Sequence, residues 1–183
     1  MHSTPLLIHV PHSSTLIPSE EWQFFTSSRL SEEILCMTDH YCDELFDCNH
    51  KMIRFPISRL VCDVERFRDD TQEIMFKKGM GVCYTKCSDG TKLKKISEIH
   101  KELILKKYYD THHEQFEESV KRNLEIFNKC LIIDGHSFYD RPLPYEYNQD
   151  SVRPDICVGT DDFHTSAYLS EYFADEFSKQ ITF

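Results

Sequence analysis

Residues 129–137 read KCLIIDGHS, an apolar run followed at once by an aspartate, a glycine and a histidine. Near the start of the chain, residues 6–14 read LLIHVPHSS and repeat the arrangement, with a proline before the histidine. Short apolar runs bounded by turn residues are typical of strands buried in a sheet. The two stretches therefore predict strands over residues 6–10 and 129–134, and the second run is apolar enough for a central position.

The rest of the chain alternates between strand-like runs and helical patterns. Residues 52–55 and 59–64 are short apolar runs that predict two further strands. Apolar residues recur with helical spacing over residues 32–47, 96–127 and 166–177. Because strands alternate with helices, the sequence predicts an α/β fold.

The chain shows no internal repeat, low-complexity tract or long linker, so residues 1–183 are predicted to form a single domain. Residues 77–90 contain three of the five glycines and are predicted to be a loop. This loop would either close over a substrate as a flap or remain passive. Residues 141–154 hold three of the seven prolines and are predicted to be irregular.

The composition narrows the classes of partner. The chain has 31 acidic and 21 basic residues and a formal net charge of −10, which argues against binding to nucleic-acid phosphates or to anionic membrane surfaces. We found neither an apolar run of about 20 residues nor a signal peptide, so we predict a cytoplasmic protein without a membrane partner. The eight cysteines are predicted to be free thiols, and the oligomeric state is left open.

Polar side chains follow three of the predicted strands. His12 and His136 follow the first and the last of them, and Asp63 and Arg66 lie at the end of the run that follows Pro56. Open α/β sheets form ligand crevices where the carboxyl ends of their strands meet. The pattern indicates a site at that edge, although polar residues also follow strands simply because the chain leaves the core there.

Two of these side chains, His12 and His136, are of the type that most often binds zinc. Asp39 is a third candidate, because it falls within the apolar stripe of the helix predicted over residues 32–47 and needs a partner there. Asp39 either pairs with one of the nearby arginines or completes a His–Asp–His zinc site.

Other charged side chains allow a structural and a functional interpretation. Arg59 and Arg66 flank Asp63, and they either pair with it or bind a substrate carboxylate through two hydrogen bonds. In the long predicted helix, one of His112 and His113 faces the core, where a histidine usually has a structural role.

Six stretches of the chain resemble the N-formylglutamate amidohydrolase family, whose members are zinc-dependent amide hydrolases related to aspartoacylases and zinc carboxypeptidases. They occur in the family's order and extend from one end of the chain to the other. IDGHS resembles the family's D-x-H-S segment, and SRLVCDVERF resembles its S-R-x-x-x-D-x-N-R segment. The matching stretches are HVPHSSTLIP (9–18), MTDHYCDELFD (37–47), ISRLVCDVERF (57–67), YYDTHHEQF (108–116), LIIDGHSFYD (131–140) and RPDICVGT (153–160).

The resemblance implies a three-layer fold with a central mixed, mostly parallel sheet between helices. It also implies that His12, Asp39 and His136 bind zinc, and that Arg66 holds the substrate's carboxylate or polarises its carbonyl. His113 matches a helix position of the family and is a further catalytic candidate. The candidate substrate-binding residues are Ser13, Arg59, Asp63, Ser137, Asp155 and Thr160.

The chain departs from the family pattern at two points. Glu65 stands where the family has an asparagine, which places a negative charge where a neutral amide would help to bind an anionic substrate. Family members also continue past Phe183 into a strand that carries a glutamate resembling the carboxypeptidase general base. We therefore expect that the chain is shortened at its C-terminus or that another group has taken this role, with Glu65 as a candidate.

The predicted function is hydrolysis of the amide bond of a small N-acyl or N-formyl amino acid by a metal-activated water. Zinc is the expected cofactor, although another divalent ion fits the same ligands. The only expected partner is the small amide substrate. The alternatives are an amidohydrolase-like binding module that has lost turnover, and a metal-free acidic domain.

Overall fold

A parallel sheet of three strands forms the centre of the computed structural model, which describes residues 4–180. Strand β1 (Leu6–Val10) lies between β2 (Lys51–Arg54) and β3 (Leu131–Asp134), and both pairs are parallel. The register aligns His9 with Asp134. Because the strands are parallel, their carboxyl ends meet at one edge of the sheet.

Within residues 4–180 the helices are α1 to α5, together with 3₁₀ and π turns. A π-helical turn over Leu105–Asp110 joins α3 to α4, so the long helix predicted over residues 96–127 is present. In this described part the α-helices are α1 (Leu30–Met37), α2 (Cys42–Leu45), α3 (Glu98–Ile104), α4 (Thr111–Phe127) and α5 (Ala167–Gln180), and the 3₁₀ turns are Trp22–Phe24 and Ile74–Lys78.

Helices pack on both faces of the sheet. Ile8 and Val10 of β1 form a buried cluster with Cys42 of α2 on one face. On the other face, the His9 ring contacts His112 and Phe116 of α4. Adjacent side chains of a strand point to opposite faces, so β1 alone supplies both contacts. The predicted α/β fold, with helices on either side of a sheet, is confirmed.

Two strand predictions need correction. The run at residues 59–64 is a series of turns, in which the Val61 amide donates to the Ser58 carbonyl and the Arg66 amide donates to the Asp63 carbonyl. Its apolar side chains are nevertheless buried in the main core, which explains why the composition resembles that of a strand. The second correction concerns β3, which begins at Leu131 and lies at one side of the described sheet, because β1 is the central strand.

The prediction of one continuous helix over residues 32–47 is also wrong, because the middle of this range is not helical. Helix α1 ends at Met37, Thr38 is extended and Tyr41 has a positive φ of 64°, so Asp39 lies in a connection between two helices. Leu35 is 57% exposed and does not share a buried face with Cys42. The backbone break turns Asp39 towards the carboxyl edge of the sheet.

The loop at residues 77–90 is largely irregular, as predicted, but its middle is part of the core. Met80, Val82 and Tyr84 are almost completely buried in the main apolar cluster. Closure of this loop over a substrate remains a prediction. Residues 141–154 are irregular, as predicted.

The chain divides into two compact units. The first contains the residues up to Tyr139 together with Leu143–Tyr147, and the second contains Asp140–Pro142 and the residues from Asn148 onwards. The single-domain organisation therefore remains a prediction. No helix in the described part of the chain is long and apolar enough to cross a membrane.

Candidate metal centre and active site

Four side chains of the first unit converge at the carboxyl edge of the sheet. His12 follows β1 and His136 follows β3, each two residues after its strand. Asp39 comes from the connection between α1 and α2, where its amide donates to the His12 carbonyl at 3.0 Å. Glu65 follows the turns at residues 58–64. The sequence analysis proposed His12, Asp39 and His136 as a group, and the structure brings them together.

Each carboxylate of this group reaches both imidazoles. Asp39 Oδ2 lies 2.8 Å from His136 Nδ1 and 3.7 Å from His12 Nδ1. Glu65 also contacts both imidazoles. Its Oε1 lies 3.2 Å from His136 Nε2, and its Oε2 lies 3.3 Å from His12 Nδ1. Ligand atoms of His12, Glu65 and His136 all lie within 4.8 Å of one another.

Asp63 fixes the orientation of the His12 ring. Its Nε2 lies 2.9 Å from Asp63 Oδ1, and the buried Nδ1 has no hydrogen-bond partner. A carboxylate on one imidazole nitrogen fixes the ring and leaves the other nitrogen available to a metal. An unpartnered buried nitrogen that faces two carboxylates is therefore the feature that best fits a bound cation.

Asp63 is completely buried and its carboxylate is fully engaged within the protein. It accepts hydrogen bonds from the Arg59 guanidinium, the Tyr84 hydroxyl and the Glu65 amide as well as from His12. Burial opposes its charge, but Arg59 and His12 outweigh burial and hold the pKa of Asp63 well below its ordinary value. These contacts hold the Asp63 carboxylate against His12, Arg59 and Tyr84, and substrate binding by Asp63 stays a prediction.

The charges of the group depend strongly on one another. Burial opposes the charge of Asp39, yet the neighbouring imidazoles of His12 and His136 lower its pKa to about 2. Burial likewise disfavours a charged His136, yet Asp134, Asp39 and Glu65 raise its pKa to about 12. A set of carboxylates that favours positive charge on the imidazoles also favours a divalent cation, which displaces those protons when it binds. The donor set fits zinc and does not by itself exclude other divalent metals.

A pocket of about 400 Å³ opens over this group. The charged part of its lining consists of the candidate ligands together with Arg59 and Arg66. The apolar part of the lining is formed by Cys36, Met37, Phe138, Tyr139, Leu143 and Tyr145.

The two arginines of the pocket differ in their contacts with other side chains of the protein. Arg59 donates to Asp63 at 2.7 Å and lies 3.8 Å from Asp39. Arg66 Nε is buried, has no hydrogen-bond partner and lies 3.6 Å from Asp63 Oδ2. The Arg66 side chain is 23% exposed against 13% for Arg59, so Arg66 is the better placed of the two to bind an anionic group of a ligand.

The predicted serines occupy different positions. Ser137 lines the pocket, and its hydroxyl donates to the His40 carbonyl at 3.4 Å. The hydroxyl of Ser13 is buried without a hydrogen-bond partner, and Ser13 is not among the residues that line the pocket. Asp155 and Thr160 lie in the second unit, where both are exposed.

His113 lies behind the pocket and supports the chain segment that carries Glu65 and Arg66. Its Nε2 lies 2.8 Å from the Val64 carbonyl, and the Tyr109 hydroxyl donates to the Arg66 carbonyl at 2.9 Å. Burial lowers the pKa of His113, which favours the neutral ring. These contacts support the backbone next to Glu65, and a catalytic role for His113 stays a prediction.

The sequence analysis did not identify His9 as part of this region. His9 Nδ1 lies 2.9 Å from Asp134 Oδ1, and His9 Nε2 lies 2.9 Å from His112 Nε2. Asp134 is in turn 3.7 Å from His136 Nε2, so this network extends to the candidate metal centre. A polar His9 within an apolar strand was the available signal, because a buried imidazole requires partners.

The buried His112 leads to a prediction about stability. Burial, together with the nearby His9 and His113, lowers the pKa of His112 to about 3, against about 6.5 in an unfolded chain. The unfolded state therefore binds the proton more readily. The free energy of unfolding is expected to fall as the pH drops from about 6.5 towards 3, by up to about 1.4 kcal/mol per pH unit from this residue.

Urea unfolding of the wild type and of His112→Gln between pH 4.5 and 7.5 measures this effect. The carboxylates titrate in both proteins, so the difference between the two slopes isolates His112. The variant is expected to lose less stability at low pH than the wild type. Equal slopes would show that His112 is not kept neutral by its surroundings.

The model of the family described as N-formylglutamate amidohydrolase matches residues 4–182. This chain belongs to the N-formylglutamate amidohydrolase family. No curated protein sequence matches the chain.

A solved structure shares the fold of this family member. The crystal structure of N-formylglutamate amidohydrolase from Ralstonia eutropha JMP134 matches with a TM-score of 0.65 and 18% sequence identity. The match covers 73% of this chain and 54% of that one, so the chain spans about half the length of its solved relative.

Proposed function

We propose that this chain hydrolyses the amide bond of a small N-formyl or N-acyl amino acid with the help of a divalent metal, zinc in the first instance. The observation that carries the proposal is the unpartnered Nδ1 of His12, which faces Asp39 and Glu65 beside His136. Membership of an amidohydrolase family supports the reaction class.

His12, Asp39 and His136 would hold the metal. Asp39 is preferred to Glu65 as the third ligand because it is nearly buried, and its own backbone amide is bonded to the His12 carbonyl. The Glu65 side chain is 25% exposed and faces the pocket. Bound zinc supplies a water of lowered pKa and polarises the scissile carbonyl.

The remaining residues have separate roles in the proposed reaction. Glu65 accepts a proton from the attacking water and transfers it to the departing amine. Arg66 binds the carboxylate of the substrate through its guanidinium, which holds the amide next to Glu65. Asp63 and His113 contact the candidate ligand His12 and the Val64 carbonyl and keep these groups in position. The products are an amine and a carboxylate, which is formate when the substrate is an N-formyl compound.

The proposal is tested by incubating tag-free protein with N-formyl and N-acetyl amino acids, before and after removal of metal by a chelator. We expect release of free amine by the zinc-loaded protein, at least about a hundredfold less by the metal-free protein, and recovery when zinc is restored. Stoichiometric zinc binding without hydrolysis of any of these amides would contradict the proposal and would favour a binding module. Absence of metal binding would contradict both.

A further inference from the structure

His9 holds the segment before His136 through both its side chain and its backbone. Its ring is bonded through Nδ1 to Asp134 Oδ1 at 2.9 Å, and its carbonyl accepts a hydrogen bond from the Gly135 amide at 2.8 Å. The parallel register of β1 and β3 places His9 opposite Asp134. The two residues that precede His136 are therefore both bonded to one residue of the central strand.

Gly135 allows a close contact in the turn before His136. A Cβ atom at this position would lie 2.7 Å from the Phe46 ring, which is closer than Cβ atoms approach other atoms in proteins. Phe46 packs against the buried cluster of Ile8 and Val10, so displacement of this ring would disturb the core. Backbone hydrogen bonding and ring packing together fix the direction in which the chain leaves β3.

The His9 ring is itself held in one orientation. It is buried, and its Nε2 lies 2.9 Å from Nε2 of the buried His112, so one of these two nitrogens donates and the other accepts. The ring also packs against Phe116 of α4, with 4.8 Å between the ring centres. Because a carboxylate only accepts hydrogen bonds, Nδ1 of His9 carries the proton that it shares with Asp134.

Asp134 connects His9 to the candidate metal ligand His136. Nδ1 of His136 lies 2.8 Å from Asp39. Its Nε2 lies 3.2 Å from Glu65 and 3.7 Å from Asp134. A histidine that binds a metal through one ring nitrogen generally directs its other N–H at a carboxylate, which fixes the ring. Since Glu65 exchanges a proton in the proposed reaction, Asp134 is the carboxylate that is left to hold the ring.

We infer that His9 is a positioning residue of the metal centre, which acts through Asp134 on the metal ligand His136. This inference rests on the proposed function, in which His136 binds the metal. The His9 side chain fixes Asp134, Asp134 fixes the His136 ring, and the His9 carbonyl fixes the turn between them. Loss of the His9 imidazole therefore weakens metal binding, although His9 is not a ligand.

Zinc affinity tests this inference, because it does not depend on turnover. The dissociation constant for zinc is measured for the wild type, His9→Leu and His9→Asn by competition with a chromophoric chelator. Leucine removes the donor, whereas the amide nitrogen of asparagine takes the place of Nδ1 and donates to Asp134. We expect a dissociation constant about 10- to 100-fold higher in His9→Leu, with partial recovery in His9→Asn. Unchanged zinc affinity in His9→Leu would overturn the inference.

Leu7→Ala is the matched control, which separates positioning from a general loss of stability. Leu7 is completely buried and lies two residues before His9, so it points to the same face of β1. We expect Leu7→Ala to unfold at a lower urea concentration than the wild type but to bind zinc within about twofold of the wild-type affinity. A loss of zinc affinity equal to that of His9→Leu would show that His9 has only a structural role.

Asp134→Asn tests the same contacts from the other side and does not depend on whether His9→Leu folds. The Asp134 side chain is 44% exposed, so we expect this variant to fold. Its zinc affinity is expected to fall about as far as that of His9→Leu, and the double variant is expected to lose no more than the larger single effect. Additive losses would show that the two residues act independently and would overturn the inference.

Failure of the inference is distinguishable from failure of the proposed function. Amide hydrolysis with unchanged zinc affinity in the variants would overturn the inference alone. Zinc binding without hydrolysis would contradict the proposed function, while the dissociation constants still decide the role of His9. Absence of zinc binding by the wild type would overturn both.

The number of zinc ions bound provides a further test. Ligand atoms of His9, Glu65 and Asp134 lie within 4.8 Å of one another, so a second ion is the competing interpretation. We expect one zinc per chain in the wild type and in His9→Leu at saturation. Two ions in the wild type and one in His9→Leu would make His9 a ligand itself and would overturn its positioning role.

Discussion

Replacement of His136 by alanine is expected to yield a folded protein that binds no stoichiometric zinc, whereas the wild type binds about one ion per chain. The ring supplies one of the two imidazoles of the candidate centre and lies between Asp39 and Glu65. Its side chain is 36% exposed and belongs to neither buried apolar cluster, so truncation leaves the fold near intact. Turnover is expected to fall at least about a thousandfold with the loss of the metal.

Elemental analysis by plasma mass spectrometry, after dialysis of tag-free protein against zinc, measures this effect. His40→Ala is the matched control, because His40 also lines the pocket but bonds through Nε2 to the Leu35 carbonyl. His12→Ala and Asp39→Asn are expected to lose the metal as His136→Ala does. Stoichiometric zinc in His136→Ala would reject that ligand assignment.

Replacement of Glu65 by glutamine is expected to preserve zinc binding and to lower kcat by about 10²- to 10⁴-fold. The glutamine side chain keeps the shape of glutamate but cannot accept the proton of the attacking water. The carboxylate lies 3.3 Å from His12 and 3.2 Å from His136, so its substitution acts at the centre of the site.

Zinc content and steady-state kinetics are measured on the same preparation of the Glu65→Gln protein. Glu146→Gln provides the control, since it also removes one negative charge from the residues that line the pocket. We expect this control to retain kcat within about threefold. Loss of zinc in Glu65→Gln would contradict this assignment. It would make Glu65 the third metal ligand in place of Asp39.

Predictions of helices and strands are confirmed where the pattern that predicts the element lies within one stretch of the chain. The apolar run before Pro11 predicts β1 because its residues are buried on both faces of the sheet. The apolar run at residues 59–64 predicts burial correctly but not its conformation, since turns packed in a core can bury the same side chains as a strand. Periodicity over residues 32–47 likewise missed the break at residues 38–41, where tertiary contacts outweigh helical propensity.

The sequence predicts which residues belong to the candidate site better than it predicts how those residues are arranged. His12 and His136 follow strands whose carboxyl ends must meet in a parallel sheet, so their proximity could be predicted. Asp39 was selected because of an apolar stripe that does not exist, and it reaches the site through a connection between helices. His9 was missed, since its partners Asp134 and His112 are more than 100 residues away in the chain.

The sequence by itself determined the family, the α/β class and the two histidines that follow β1 and β3, because short motifs and strand boundaries are local properties. Tertiary structure decided which groups surround those histidines. Asp63 holds His12 from 51 positions away, and Asp39 reaches His136 across 97 positions. Such contacts depend on how turns and helices pack, and no periodicity in the chain encodes them.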